Sequence, residues 1–320
     1  MRGISGSTHW ADISEAGSLW GIRFLLFCYK LGGKALFKVF LAPVIIYFYL
    51  VRSTNRQASL AYIYRIKQQL PEYASKNAYL LSFAHFWNFA LSLIDKIAVW
   101  CGDIDITDTT SHGGELITRL CDEQKGAILL ITHLGNFEIC RALSQHRKNF
   151  RLTVLMHTKH AENFNKLLTR SIKSSSKVDV IQVSEISPAT AMMINERIER
   201  GEFIAISGDR VAIANPQNSF GVQFMGETAP LPSGPFTLAA ILKAPLISIV
   251  CIREKNRYQI YFDQISERVS VSRKQRNEKL AELAQSYANL LEKYCLQAPL
   301  QWFNFYDFWQ RPNFGDRQHD

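Results

Sequence analysis

None of the six cysteines, Cys28, Cys101, Cys121, Cys140, Cys251 and Cys295, has a partner close enough in the chain for a Cys-x-x-Cys ligand pair. Most lie within apolar stretches, the pattern of reduced, buried thiols rather than of a disulfide framework. Phosphate-cradling loops are missing too: neither a G-x-G-x-x-G nor a P-loop signature occurs, so no nucleotide cofactor is expected. His157 and His160 (HTKH) form a pair of potential metal ligands, but no third ligand is spaced to complete a site, and no metal is expected. The opening MRGISGSTHWADISEAGS lacks the basic region running directly into an apolar stretch that marks a secretory signal. The catalytic part is therefore expected on the cytoplasmic side. Internal repeats and low-complexity linkers are absent, and no nucleic-acid reading motif is found. A mean hydropathy of −0.07 excludes a polytopic membrane protein.

What is present is a chain of 320 residues, 47% hydrophobic, 20% charged and 12% aromatic. That composition excludes a disordered, collagenous or coiled-coil protein. At ~100–200 residues per domain, the length fits one large α/β domain with an appendage. The net charge of +9 is unevenly placed. Residues 1–100 carry 11 Lys/Arg against 4 Asp/Glu, whereas residues 101–320 carry 26 against 24. The basic third is also the most apolar one. That combination reads as attraction to anionic lipid headgroups before it reads as nucleic-acid binding.

Residues 19–51 read LWGIRFLLFCYKLGGKALFKVFLAPVIIYFYLV, with Lys30, Lys34 and Lys38 spaced to form one basic stripe on a helix. The uncharged run 39–51 reaches only ~20 Å as a helix, short of the ~30 Å hydrocarbon core. A helix lying in the interface, with its lysines snorkelling to phosphates, is the expectation; a buried core helix and a single span are the alternatives. A second segment, NAYLLSFAHFWNFALSLIDKIAVW, is apolar on more than one face and must be buried in protein or lipid. The expected organisation is therefore a helical membrane-associating segment over 1–100 and an α/β catalytic domain over 101–320.

Strand-like runs recur at 127–132 (AILLIT), 152–157 (LTVLMH), 178–183 (VDVIQV), 203–207 (FIAIS), 246–252 (LISIVCI) and 258–262 (YQIYF). Helical patterns separate them at 161–173, 188–200, 234–242 and 273–294. The alternation predicts a mostly parallel mixed sheet flanked by helices, with ligands at the carboxyl ends of the strands.

There the strand AILLIT runs directly into His133-Leu134-Gly135-Asn136-Phe137-Glu138. Five residues put two side chains ~140° apart on a continuous helix. A strand–turn–helix brings them together instead, with Gly135 and Asn136 in the turn and Glu138 in the first helical turn. A carboxylate there is favoured by the helix dipole and holds one imidazole nitrogen, leaving the other as a base. This is the base-and-acid half of a catalytic triad without its serine, so the nucleophile comes from the substrate. A capping turn with a surface histidine is the alternative reading.

The His-x-x-x-x-acid block at a strand end resembles the first block of the lysophospholipid acyltransferase superfamily. THLGNFE is most similar to the lipid A biosynthesis lauroyl/myristoyl acyltransferase branch. Ile206-Ser207-Gly208-Asp209-Arg210 resembles that branch's second block. The run FMGETAPLPSGP at 224–235, with Gly226, Pro232, Gly234 and Pro235, is similar to its F-x-G-x-x-A-x-x-P-x-G block, and PLQWFNF at 299–305 to its closing P-x-Q-W-F segment. His9-Trp10, Glu15-x-Gly17-Ser18 and Gly21-x-Arg23 are similar to a subgroup known mainly as predicted acyltransferases. Glu138 stands where the superfamily more often has Asp; Glu also occurs in this branch.

The resemblance implies a membrane-associated O-acyltransferase at the cytoplasmic face of the cell inner membrane, without a cofactor. The donor would be a fatty acyl thioester on acyl carrier protein or coenzyme A, the acceptor a lipid or glycolipid hydroxyl. His133 and Glu138 would be catalytic; Asn136, Asp209, Arg210, Gly226, Pro232, Gly234 and Pro235 would bind substrate. An Arg fork after a strand suits a phosphate or carboxylate; pairing of Asp209 with Arg210 within the loop is the alternative. A Pro-stiffened loop opening a helix at Gly234 suits an anion or oxyanion; an ordinary loop before a buried helix is the alternative. The aromatic cluster Trp302, Phe303, Phe305, Tyr306, Phe308 and Trp309 lines an acyl pocket or edges the core. A thioesterase and a non-catalytic lipid-binding module are the rival functions.

Overall fold

The computed structural model describes residues 19–101, 109–139, 150–156, 178–182, 188–211, 217–255 and 257–309. The His9-Trp10 and Glu15-x-Gly17-Ser18 motif, the helical pattern at 161–173, and His157 and His160 lie outside the described residues.

The chain opens with four helices: α1 (Leu19–Val51), α2 (Ser53–Gln69), the short α3 (Pro71–Ala74) and α4 (Ala78–Cys101). Then follow β1 (Thr109–His112), α5 (Gly114–Asp122), β2 (Ile128–Ile131), β3 (Leu152–Met156) and β4 (Val178–Gln182). The remainder is α6 (Pro188–Glu199), β5 (Phe203–Ser207), β6 (Ser219–Phe224), β7 (Glu227–Pro232), α7 (Gly234–Leu242), β8 (Leu246–Glu254), β9 (Arg257–Ser266) and α8 (Arg276–Gln297).

Seven strands form one sheet in the order β1-β9-β8-β2-β5-β3-β4. Every pairing is parallel except β8 with β9. The mostly parallel mixed sheet flanked by helices is thus the architecture found. Alternation splits each central strand between two cores. Ile128 and Leu130 of β2 face one cluster, and Ala127 and Leu129 the other. Leu246, Val250 and Ile252 of β8 oppose Ile247, Ile249 and Cys251 in the same way. Strands buried on both faces read as continuous apolar runs, which is why the sequence located them.

The pair β6–β7 is a separate two-stranded hairpin. Here the structure departs from the expected stiff loop, because 227–232 is strand. Val222, Phe224, Ala229 and Leu231 alternate inward and are buried, which holds the ladder despite Pro230 and Pro232; proline is tolerated in so short a two-stranded ribbon.

α1 is not one straight rod. Gly32 and Gly33 are non-helical, with Gly33 at φ 61 and ψ −154. The kink falls between Lys30 and Lys34 and breaks the expected lysine stripe; Lys34 Nζ instead sits 3.0 Å from Asp95 Oδ1 on α4. After the kink, Phe37, Leu41 and Ile45 recur every four residues and bury against Phe86, Ala90 and Ile94 of α4. The opposite face exposes Val39, Ile46, Tyr47, Leu50 and Val51. Phe27–Val51 is, among the described residues, the one helix long and apolar enough by length and composition to cross a membrane. α1 is thus part core helix and part uncovered apolar surface. α2 turns its buried Tyr62, Ile63 and Ile66 into the core of the sheet.

Candidate active site

β5 lies on one side of β2 and β8 on the other. The chain crosses β2 between them, and an open sheet leaves a crevice at the carboxyl ends at such a switch. Parallel register pairs Ile131 with Ser207, so the residues that follow, Thr132-His133 and Gly208-Asp209, are carried side by side. That register decides the site. Nδ1 of His133 is 2.8 Å from Oδ1 of Asp209.

Asp209 is fully buried and saturated with donors. Its Oδ2 accepts from Thr132 Oγ1 at 2.7 Å, from the His133 backbone N–H at 2.8 Å and from Trp302 Nε1 at 3.2 Å. Ser207 Oγ donates to Oδ1 at 3.1 Å. Burial alone would push the carboxyl up. The opposing charge of His133, its hydrogen bonds and Arg210 more than offset that, and hold the carboxyl far below the usual range. An ionised Asp209 accepts only, so Nδ1 of His133 carries the proton and Nε2 keeps its lone pair. The His133 side chain is 34% exposed, open enough to meet substrate. Its pKa is lowered from 6.5, first by burial and then by Arg210 and Lys96, against the pull of Asp209. The imidazole is therefore neutral at pH 7, the state a base requires.

Sequence spacing places Glu138 against an imidazole nitrogen, but the carboxylate on Nδ1 is Asp209. Glu138 Oε1 lies 3.1 Å from Lys96 Nζ on α4. Asn136 turns the chain that way: its Oδ1 accepts the Glu138 N–H at 3.2 Å and its Nδ2 donates to Ser92 O at 3.3 Å. Asn136 thus acts as the cap of the short helical turn after the strand. Arg210 donates from Nε to Asn304 Oδ1 at 3.2 Å and stands over the Tyr306 ring. Asn304 Nδ2 is buried without a hydrogen-bond partner among the described residues.

The other expected substrate residues have structural places further along. Gly226, with Met225, makes the β6–β7 turn at positive φ, as two-residue hairpins require. Pro232 pairs with Ser219 in the ladder. Gly234 and Pro235 open α7, where a proline lacks no needed N–H. Phe236 of α7 packs on Tyr287, whose hydroxyl donates to Ile131 O at 3.3 Å.

The sequence gives no sign that Thr132, Ser207 and Trp302 meet at Asp209, nor that His85 supports the Trp302 segment. Trp302 stood inside the closing block and Thr132 beside the histidine, yet only the fold shows both reaching Asp209. His85 is fully buried, with Nε2 2.8 Å from Trp302 O and Nδ1 3.0 Å from Ser59 Oγ, which takes a bond from Ser82 Oγ at 2.9 Å. Burial pushes His85 down to about 4, so it is a neutral strut tying α2 and α4 to the Trp302 segment.

Gly135 fixes the turn. It has φ +72, and a Cβ there would lie 1.8 Å from Cys251 O. Its N–H donates to Gln301 O and that of Asn136 to Cys251 O, both at 2.8 Å. Gly135→Ala is expected to destabilise the protein by about 2–4 kcal/mol and to lower activity by moving His133. Urea unfolding checks it; an unchanged midpoint would show the turn to be pliable.

Beside this turn opens a cleft of about 420 Å³ lined by Gly135, Asn136, Ser92, Lys38, Arg253 and Lys255, among others. Among the described residues no group of three or more His, Cys, Asp or Glu is arranged to hold a metal ion. Residues 67–311 match the family model for bacterial lipid A biosynthesis acyltransferases. No curated protein matches the chain.

Proposed function

The chain belongs to the bacterial lipid A biosynthesis acyltransferase family, and from that premise we propose that it transfers a fatty acyl group from an acyl thioester, on acyl carrier protein or coenzyme A, to a hydroxyl of a lipid or glycolipid. Family membership makes it an acyltransferase acting on lipid. The observation that carries the finer reading is the bond from Nδ1 of His133 to a buried, ionised Asp209, which leaves Nε2 as a base.

In this reading Nε2 takes the proton of the acceptor hydroxyl as its oxygen attacks the thioester carbonyl. Asp209 steadies the imidazolium that forms. The tetrahedral intermediate then expels the thiolate, which recovers a proton from His133. Acyl transfer is direct, so donor and acceptor meet in one complex. Glu138 acts through Lys96, setting how much positive charge faces His133. Arg210, with the Asn304 Nδ2 that has no hydrogen-bond partner among the described residues, suits an oxygen anion of donor or acceptor. Arg210→Lys, which loses the planar fork, is expected to raise KM with little change in melting temperature.

Purified protein given an acyl thioester and a soluble long-chain alcohol should form ester faster than free acid. Hydrolysis exceeding transfer at every alcohol concentration would make it a thioesterase, and no turnover would leave a lipid-binding module.

The site of action proposed is the cytoplasmic face of the inner membrane, with the exposed apolar face of α1 in the lipid. Burying a large apolar side chain contributes ~1.5–3 kcal/mol. Val39→Asp, Tyr47→Asp and Leu50→Asp together should therefore abolish flotation with anionic vesicles while the fold persists. Unchanged flotation would remove α1 from the membrane contact.

A further inference from the structure

Three polar side chains lie fully buried where α2 meets α4: Ser59, Ser82 and His85. Their surroundings are aromatic. The His85 ring lies 5.5 Å from Tyr62 and 4.6 Å from Phe305, and stacks on Phe303 at 6.0 Å. Burying polar groups costs stability unless each is bonded, and apolar side chains of similar shape serve packing alone equally well. The bonds made here run in one direction, toward the catalytic pair.

A carbonyl oxygen only accepts, so His85 Nε2 carries the proton and donates to Trp302 O at 2.8 Å. Nδ1 then accepts from Ser59 Oγ at 3.0 Å, and Ser59 accepts from Ser82 Oγ at 2.9 Å. Both ring nitrogens are used, and a fully bonded buried network of this kind holds one geometry. From the Trp302 segment the bonds continue. The indole Nε1 donates to Asp209 Oδ2 at 3.2 Å. Phe303 donates its N–H to His133 O at 2.9 Å, and Gln301 O accepts the Gly135 N–H at 2.8 Å. Residues 301–303 therefore brace the catalytic turn, and His85 holds their central carbonyl.

We propose that His85 is a positioning residue for the acyl-transfer base: its bond to Trp302 O keeps the indole N–H on Asp209 and so sets how strongly that carboxylate pulls on His133. The inference rests on the reading of His133 as base. Without the indole, Asp209 Oδ2 keeps only Thr132 Oγ1 and the His133 backbone N–H. A carboxylate with fewer donors leaves more of its charge to the imidazole, which then holds its proton more tightly. An imidazole that is also slightly displaced loses its line to the acceptor hydroxyl.

The test titrates His133 in the full-length protein by imidazole NMR, assigned through His133→Ala, beside kcat and KM for thioester and alcohol. His85→Phe fills the space of the ring but cannot bond Trp302 O, which keeps the Asn304 N–H at 3.0 Å. It should raise the pKa of His133 and lower kcat about tenfold to a hundredfold, with both KM values little changed. Trp302→Phe should raise that pKa too, and adding His85→Phe to it should move it no further, because His85 acts through the indole. His85→Gln, whose amide N–H reaches the place of Nε2, should restore both pKa and kcat. Should the phenylalanine impair folding, His85→Asn, too short to reach Trp302 O, gives the same shift. None of these substitutions touches the charged groups that act on His133, which are Asp209, Arg210 and Lys96 with its partner Glu138. A His133 pKa that stays put or falls in the folded variant would reduce His85 to packing. A glutamine no better than phenylalanine would overturn the bond to Trp302 O as the cause. The titration needs no turnover, so its outcome is separate from whether His133 proves to be the base.

Discussion

His133→Ala is expected to lower kcat by about 10²–10⁴, the usual worth of a positioned general base, while the protein stays folded. The side chain is one-third exposed at the end of β2, so its removal opens no core cavity. The pH profile makes the role specific. Burial, and then the charges of Arg210 and Lys96, lower the pKa of His133 from 6.5. The base is lost only on protonation, so the rate should hold through neutral pH and fall as pH drops below 6.5. Arg210→Gln removes one of those lowering charges, so its acid limb should move to higher pH. A folded His133→Ala protein with near-wild-type turnover would end the mechanism, and an acid limb that ignores Arg210 would place the titrating group elsewhere.

How far the sequence led differs between fold and site. The six strand-like runs all became strands of the main sheet; the central ones, β2, β5 and β8, are buried on both faces along most of their length and so cannot hide their apolar character. Pro188 and Gly234 marked helix starts through their own backbone chemistry. What escaped was non-local or locally contradictory. The β6–β7 hairpin carries two prolines, so its strand character shows only in the alternation of Val222, Phe224, Ala229 and Leu231. The kink at Gly32-Gly33 sits within an otherwise helical pattern. In the site, His133 was legible from its place at a strand tip. Its partner was not, because spacing along the chain favours Glu138, five residues away, over Asp209, seventy-six away. Only the pairing of β2 with β5 makes Asp209 the neighbour. Trp302 reaches the same carboxylate from still further off, on a segment held by the bridge between Leu134 and Trp302.

Asp209→Asn should therefore cost far more than Glu138→Gln. All five groups around the Asp209 carboxylate are donors. An asparagine offers one acceptor oxygen and turns an N–H₂ toward the rest. If that amide faces Nδ1, the imidazole must accept there and carry its proton on Nε2, the atom that should act as base. The analogous exchange in a serine-protease triad costs ~10⁴ in kcat through the wrong tautomer, and a fall of ~10³–10⁴ is expected here. Stability should drop as well, since each buried donor left unpaired costs about 1–3 kcal/mol. The acid dependence of that stability follows from the depressed carboxyl. Its contribution is complete above the unfolded value near ~4 and is lost progressively below it, so wild type should lose stability between neutral pH and pH 3 more steeply than Asp209→Asn. Glu138→Gln keeps every bond to Asp209 and removes only the charge facing Lys96. Lys96 then acts on His133 less compensated, and the acid limb should move to lower pH with a smaller loss of kcat. Kinetics and thermal melts of the two variants side by side decide it: a larger kcat loss for Glu138→Gln, with Asp209→Asn still active, would return the role of orienting acid to Glu138.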